Sequence, residues 1–178
     1  MSLNELSIEV KQSVAVKYFQ RLADIVGGSF VVTYLPQTEK QIEKIKVTLP
    51  RSYKKFLSRF GISSSGGWDF LGKSEHLQAD IDTRNNELHS NAFILSDPDI
   101  TYFDIRDEEA TGFRWAKNSE EPEVVWSDHY GTHVYASDFW AFLLGVEIDI
   151  YQNNKDVAGY DFSKFIDKSN ELERKLFE

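Results

Sequence analysis

Residues 38–72, TEKQIEKIKVTLPRSYKKFLSRFGISSSGGWDFLG, decide how this chain folds. Thr38 and Gln41 have the spacing of a capping box, in which the hydroxyl accepts an orphan N–H of the first turn and the amide reaches back. They predict a helix over about 38–46. Pro50 suits the first turn of a second helix, over about 50–60, where its missing N–H costs nothing. Tyr53, Phe56, Leu57 and Phe60 recur at helical spacing and make one apolar stripe, which Gly61 can end. Residues 63–67, three serines and two glycines, then read as a turn, and 68–71 as an aromatic strand closed by Gly72.

On the N-terminal side, residues 2–26 read as one amphipathic helix with Leu6, Val10, Val14, Phe19, Leu22 and Val26 in its stripe, closed by Gly27-Gly28. Residues 30–35, FVVTYL, predict a strand that Pro36 ends. Residues 74–91 stay open between a loose helix (Leu77, Ile81, Leu88) and a turn at Asn85-Asn86. The middle of the chain reads as a β-meander, with strands over 93–95, 100–106, 112–116 and 123–126. Asp97-Pro98, residues 109–112 and residues 119–122 punctuate it, and 133–135 add a further short strand. Ser137 is the expected cap of an apolar helix carrying Phe139, Phe142, Leu143 and Val146. A last helix is expected over 161–177, with Asp161 as its cap acid and Phe162, Phe165, Ile166 and Leu176 in its stripe. Helices at both ends with strands gathered between them predict an α+β fold: a central antiparallel or mixed sheet packed by N-terminal, middle and C-terminal helices.

At 178 residues the expectation is a single domain spanning 1–178, large enough to bury a core without disulfides. The absence of cysteine excludes disulfide frameworks, thiolate catalysis and cysteine zinc sites. No apolar run approaches the roughly 18 residues of a membrane span, so no membrane partner is expected. The opening MSLNELSIEVKQ lacks the basic and then apolar segments of a secretory leader, which makes cytoplasmic residence the expectation.

Net charge is −9, unevenly spread. Residues 1–60 hold ten Lys/Arg against five Asp/Glu, whereas residues 97–128 hold ten acids against Arg106, Arg114 and Lys117. Overall acidity opposes direct nucleic-acid binding. An acidic cluster instead favours a basic partner by steering its approach, although the same residues also suit solvated loops and strand faces.

No constellation of catalytic residues emerges. His129 and His133 stand four apart, but Gly131 between them argues against the helix that would fix that spacing for a metal. No nucleophile elbow accompanies the Asp128-His129 pair. The Ser/Gly run of 63–67 lacks the lysine and spacing of a phosphate loop. Paired carboxylates such as Glu120-Glu121 read as exposed turns, not as a glycosidase pair. Trp68, Trp115, Trp126 and Trp140 fit core positions better than a ligand groove. No enzyme activity, cofactor or metal is expected.

Three blocks in order resemble the SUKH superfamily, the Smi/Knr-like and Syd-related proteins. The first holds Ile42, Ile45, Leu49-Pro50, Tyr53, Phe56-Leu57 and Gly61, then Phe70 and Gly72. The second is Tyr102-Phe103-Asp104. The third is residues 134–143, VYASDFWAFL. The resemblance spans about 38–145, leaving an N-terminal helix and strand and a C-terminal helix as extensions. Where the family often has Asn-Gly after the second helix, this chain has Phe60-Gly61. The resemblance implies a cytoplasmic bacterial immunity protein that binds and neutralises a cognate toxin, often a basic nuclease. The alternative it implies is a non-catalytic regulatory or scaffold module of the cell-wall-regulator or Syd type. On that reading the signature residues are structural, and the candidate protein-binding residues are Asp104, Asp107, Glu108, Glu109, Trp115, Glu120 and Glu121.

Overall fold

The first helix starts later than its apolar stripe predicts, because Ser7 caps it. The computed structural model describes residues 3–26, 39–43, 48–61, 63–65, 68–70, 97, 99–106, 109–116, 119 and 121–177. Leu3–Glu5 forms a single 3-10 turn, and α1 runs Ile8–Val26. The Ser7 carbonyl accepts the Lys11 N–H at 3.0 Å and its Oγ accepts the Val10 N–H at 3.4 Å. A serine hydroxyl that bonds its own neighbourhood ends one helical segment and begins the next. Val14, Ala15, Tyr18, Phe19 and Leu22 form the buried side of α1.

The helix pair expected over 38–60 is present as α2, Glu39–Glu43, and α3, Arg51–Arg59. Pro50 occupies the cap position of α3, one residue before the first turn, with extended backbone (φ −58°, ψ 149°). Proline offers no capping acceptor. Glu121 supplies one from another part of the chain, accepting the Ser52 N–H at 3.0 Å and its hydroxyl at 2.6 Å. Tyr53, Phe56, Leu57 and Phe60 are all buried, and Gly61 closes the helix at φ 70°, a conformation glycine adopts without penalty. The following serines do not turn. Ser63–Ser65 is strand β1, paired antiparallel with β2, Trp68–Phe70. Cross-strand bonding overrides the weak strand preference of serine. The expected capping box at Thr38, the strand over 30–35, the open segment 74–91 and the strand over 93–95 lie outside the described residues.

The meander is a four-stranded antiparallel sheet in the order β3 (Ile100–Arg106), β4 (Glu109–Arg114), β5 (Glu123–Asp128) and β6 (Gly131–Ala136). Residues 109–112, expected to be a turn, belong to β4, since Arg106 pairs with Glu109 and Tyr102 with Gly112. Phe103, Phe113 and Val124 join the main core, whereas Ile100, Tyr102, Ala110 and Val125 form a second, smaller cluster. Tyr102 and Phe103 enter different clusters because successive strand side chains face opposite ways, and a bulge between Tyr102 and Asp104 interrupts the ladder there. Gly112 has no room for a side chain: a Cβ there would stand 2.5 Å from Ile100 Cγ2 and 2.8 Å from the Thr101 carbonyl oxygen.

Helix α4, Phe139–Asn154, is capped by Asp138, not by Ser137. One Asp138 oxygen accepts the Ala141 N–H at 3.0 Å, and the other meets the ammonium of Lys11 and the Ser137 hydroxyl. The helix expected over 161–177 is confined to α5, Glu171–Phe177. Asp161 and Asp167 instead accept the N–H groups of Ser163 and Ser169, closing turns that compete with helix. Asn170 then caps α5, its Oδ1 taking the Glu173 N–H at 3.2 Å. Phe162, Phe165, Leu176 and Phe177 are nonetheless buried. The architecture is α+β, and no described helix is long and apolar enough to cross a membrane.

One group in α4 has no compensation. Glu147 is 0% exposed and neither carboxyl oxygen has a hydrogen-bond partner. Burial raises its pKa well above the ordinary 4.5. The folded protein then holds a proton that the unfolded chain releases near 4.5, so stability falls as pH rises above that value. Glu147→Gln should match the wild type in urea unfolding at about pH 4 and exceed it at about pH 8; equal midpoints at both would refute the assignment. Gly112→Ala should destabilise by about 1–3 kcal/mol through overpacking, read from the same midpoint.

Candidate protein-binding surface

The seven residues singled out in the sequence separate by location. Asp104 is 2% exposed, so its carboxyl does not reach a partner's surface. Glu121 is half-buried and its carboxylate is held by Ser52 at the start of α3. Glu109 is exposed at the first position of β4, and Trp115 is 37% exposed just past its end. Asp107, Glu108 and Glu120 lie outside the described residues. Glu109 and Trp115 are therefore not brought together: six residues of strand separate them by about 20 Å.

A more coherent surface lies on the β5–β6 hairpin. Asp128 Oδ1 accepts the Tyr130 N–H at 2.7 Å and the Gly131 N–H at 2.9 Å, fixing the connection between Asp128 and its pair partner Gly131. Gly131 sits at φ 146°, where a side chain would be strained. This tight turn pushes Tyr130 outward to 80% exposure, its ring 3.7 Å from that of His129. Along β6, His133 stacks on Trp126 at 4.5 Å between centroids. Val134 is 56% exposed, and Tyr135 is 39% exposed while its ring meets Phe142 at 5.1 Å. Beneath them, Ser127 and Thr132 share a hydrogen bond of 2.9 Å.

β6 contains no proline and no charged residue apart from a protonable His133. It is the last strand of the sheet among the described residues. Such an edge lacks the proline and the Lys, Asp or Glu side chains that discourage pairing with another chain, although a bulge at Tyr135 interrupts its ladder with β5. The register Ala110↔Ser127 places Glu109 at the same end of the sheet as the His129-Tyr130 turn. The surface thus combines exposed aromatic and branched side chains, a strand margin and an adjacent carboxylate. It can bury apolar area and accept main-chain hydrogen bonds.

The hairpin also shows how its polar groups are used. His133 Nε2 is 4.0 Å from Asp128 Oδ1, an oxygen already accepting two backbone N–H groups. Among the described residues no group of three His, Asp or Glu is arranged to hold a metal ion. The strand expected over 133–135 is present within β6, and its exposure is not visible from residue types. The available signal was the Asp-His-Tyr-Gly turn, which forces the two residues between its ends outward.

No family model matches the chain, and no curated protein matches it.

The different placements of two acids can be checked directly. Glu121→Gln should lower unfolding stability by about 1 kcal/mol through the weakened cap on α3. Glu109→Gln, at an exposed strand position, should leave the urea midpoint within about 0.5 kcal/mol of wild type.

Proposed function

We propose that this chain is a binding module of the bacterial immunity type, which neutralises a basic protein toxin by covering it with the β-meander. The observation that carries the reading is the exposed aromatic strand: Tyr130, Val134 and Tyr135 stand out from a sheet whose other apolar side chains are largely buried. The toxin class comes from the SUKH-like order of Leu49-Pro50, Tyr53, Phe56-Leu57, Tyr102-Phe103-Asp104 and residues 134–143. The charge balance supports it. A nuclease presents a basic surface to phosphate, and a chain of net −9 gains association rate against such a surface.

The chemistry divides between two kinds of group. Exposed carboxylates such as Glu109, with Asp107, Glu108 and Glu120 in the same acid-rich segment, act at long range and set the encounter rate. Tyr130, Val134, Tyr135 and Trp115 act at contact, where large rigid side chains carry most of the energy of an interface. Neutralisation is steric: the bound module occupies the groove the toxin needs for its substrate.

The test is co-expression with the product of the adjacent gene, followed by binding kinetics on the purified pair. The protein in excess should abolish toxicity and form a complex. Tyr130→Ala with Val134→Ala should weaken binding by about tenfold or more, mainly through faster dissociation. Raising salt from about 50 mM to about 500 mM should slow association far more than it speeds dissociation. A fully active toxin beside excess protein, with no complex formed, would reject the proposal. An association rate indifferent to salt would reject its electrostatic part.

A further inference from the structure

The other charged surface of the molecule has the opposite sign. Helix α3 buries Tyr53, Phe56 and Leu57 and leaves Arg51, Lys54, Lys55, Ser58 and Arg59 exposed. Its outer side therefore carries four cations and no acid, in a chain with 29 Asp/Glu against 20 Lys/Arg. None of the four is in an ion pair among the described residues. Lys55 donates instead to Gln12 Oε1 at 3.2 Å, and Arg59 donates to Gln20 Oε1 at 3.3 Å. Neutral amides of α1 thus orient two cations without cancelling their charge. Glu9 lies within electrostatic reach of Lys55 but is itself exposed.

An open groove of about 650 Å³ runs along α1, lined on that helix by Glu9, Gln12, Val16, Gln20 and Arg21 and on α3 by Arg59; Glu9, its one acid, stands at the end nearest the N-terminus of α1. Lys17 also borders it but is bonded to Glu173 and Asp167. We propose that this groove and the basic side of α3 bind an extended acidic segment of a partner protein. Its carboxylates would meet Arg51, Lys55 and Arg59, with Lys54 alongside, and its main chain would bond the Gln12 and Gln20 amides.

The spacing favours this occupant. Four residues of helix advance about 6 Å, which places the cations at 51, 55 and 59 in a row. Every second residue of an extended chain advances about 6.6 Å, so acids at alternate positions stay in step with that row. The groove lies open along α1, beside the exposed cations of α3. Its lining contains no aromatic ring on which a base could stack, and the acidic remainder of the chain repels a long polyanion. A short acidic peptide meets neither objection.

The probe is a fluorescein-labelled dodecapeptide of alternating Glu and Ser, titrated by anisotropy with the full chain, beside an alternating Gln-Ser peptide and a twelve-nucleotide oligouridylate. The acidic peptide should bind at about 50 mM salt and weaken as salt rises, while the neutral peptide does not bind. Lys54→Gln with Lys55→Gln and Arg59→Gln should reduce affinity by about tenfold or more, whereas Lys175→Gln on α5 should not change it. Because the Lys54 side chain is exposed and makes no bond among the described residues, Lys54→Gln alone serves if the triple variant fails to fold, with a loss of about threefold expected. Absence of binding at low salt, unchanged affinity in the α3 variants, or oligouridylate binding as tightly as the peptide would each overturn the proposal.

Discussion

The packing of Tyr53 against three other elements is the constraint on which the rest of the structure depends. From α3 its ring reaches Phe113 at 5.0 Å, Phe103 at 5.6 Å and Phe139 at 4.9 Å. One side chain therefore ties the sheet and α4 to the helix that carries it. Phe56, one turn on, extends the contact to Phe139 and to Phe19 of α1, each at 5.2 Å. Aromatic pairs in such edge and tilted geometries add about 0.5–1.5 kcal/mol each beyond their buried area. Because the partners lie far apart in sequence, none of these contacts forms until the chain has closed long loops. The same cluster occupies one side of the sheet. What remains for recognition is the margin of β6, the turns and the outer side of the helices.

Polar groups then fix the angles at which the elements meet. Asp138 joins the start of α4 to Lys11 of α1, and Glu121 joins the β4–β5 connection to the start of α3. Glu173 accepts from Lys17 at 2.7 and 2.9 Å, from Tyr18 at 2.6 Å and from Asn170 at 3.1 Å, which locks α5 onto α1. Burial and the bond to Glu173 hold the Tyr18 hydroxyl well above its ordinary pKa of 10, so it stays a donor. Each of these carboxylates has at least two donors, which offsets the cost of taking it out of water. Glu147 lacks donors altogether and resolves the same conflict by keeping its proton. The acid-rich composition is thus partly internal. Counting charges along the chain overstates how many face a partner, which is why Asp104 and Glu121 look like surface acids in the sequence and are not.

The amphipathic stripe of α3 and the α+β order of elements were legible because they rest on local periodicity and on composition. Tyr53, Phe56, Leu57 and Phe60 repeat at helical spacing, and burial follows from that repeat alone. The meander was legible in its strands but not in its boundaries. Residues 109–112 look like a turn because Gly112 is read as punctuation, whereas its real requirement is the space taken by Ile100, a contact that appears only after pairing. Caps failed for a related reason. Ser137 and Asp138 are adjacent and both can cap, and Lys11 reaches both; Asp138 is the one whose oxygen accepts the Ala141 N–H of the first turn. The long C-terminal helix was over-read because Asp161 and Asp167, good cap residues by type, close local turns. The candidate binding surface was mostly hidden: Glu109 and Trp115 were visible as types, but the exposure of Tyr130, Val134 and Tyr135 depends on which strand ends the sheet.

Geometry further separates the two surfaces that carry chemistry. Glu121 contacts the start of α3 and precedes Glu123, the first residue of β5, so the basic helix begins near that end of the strand. The His129-Tyr130 turn follows Asp128, at the other end of β5. Six residues of strand span about 20 Å, two Debye lengths at about 0.1 M salt. Charges on the two surfaces therefore neither neutralise each other nor compete for one ligand. The two proposed partners, one basic on the hairpin and one acidic along α3, would occupy separate surfaces that the Tyr53 cluster and the Glu121–Ser52 contact join.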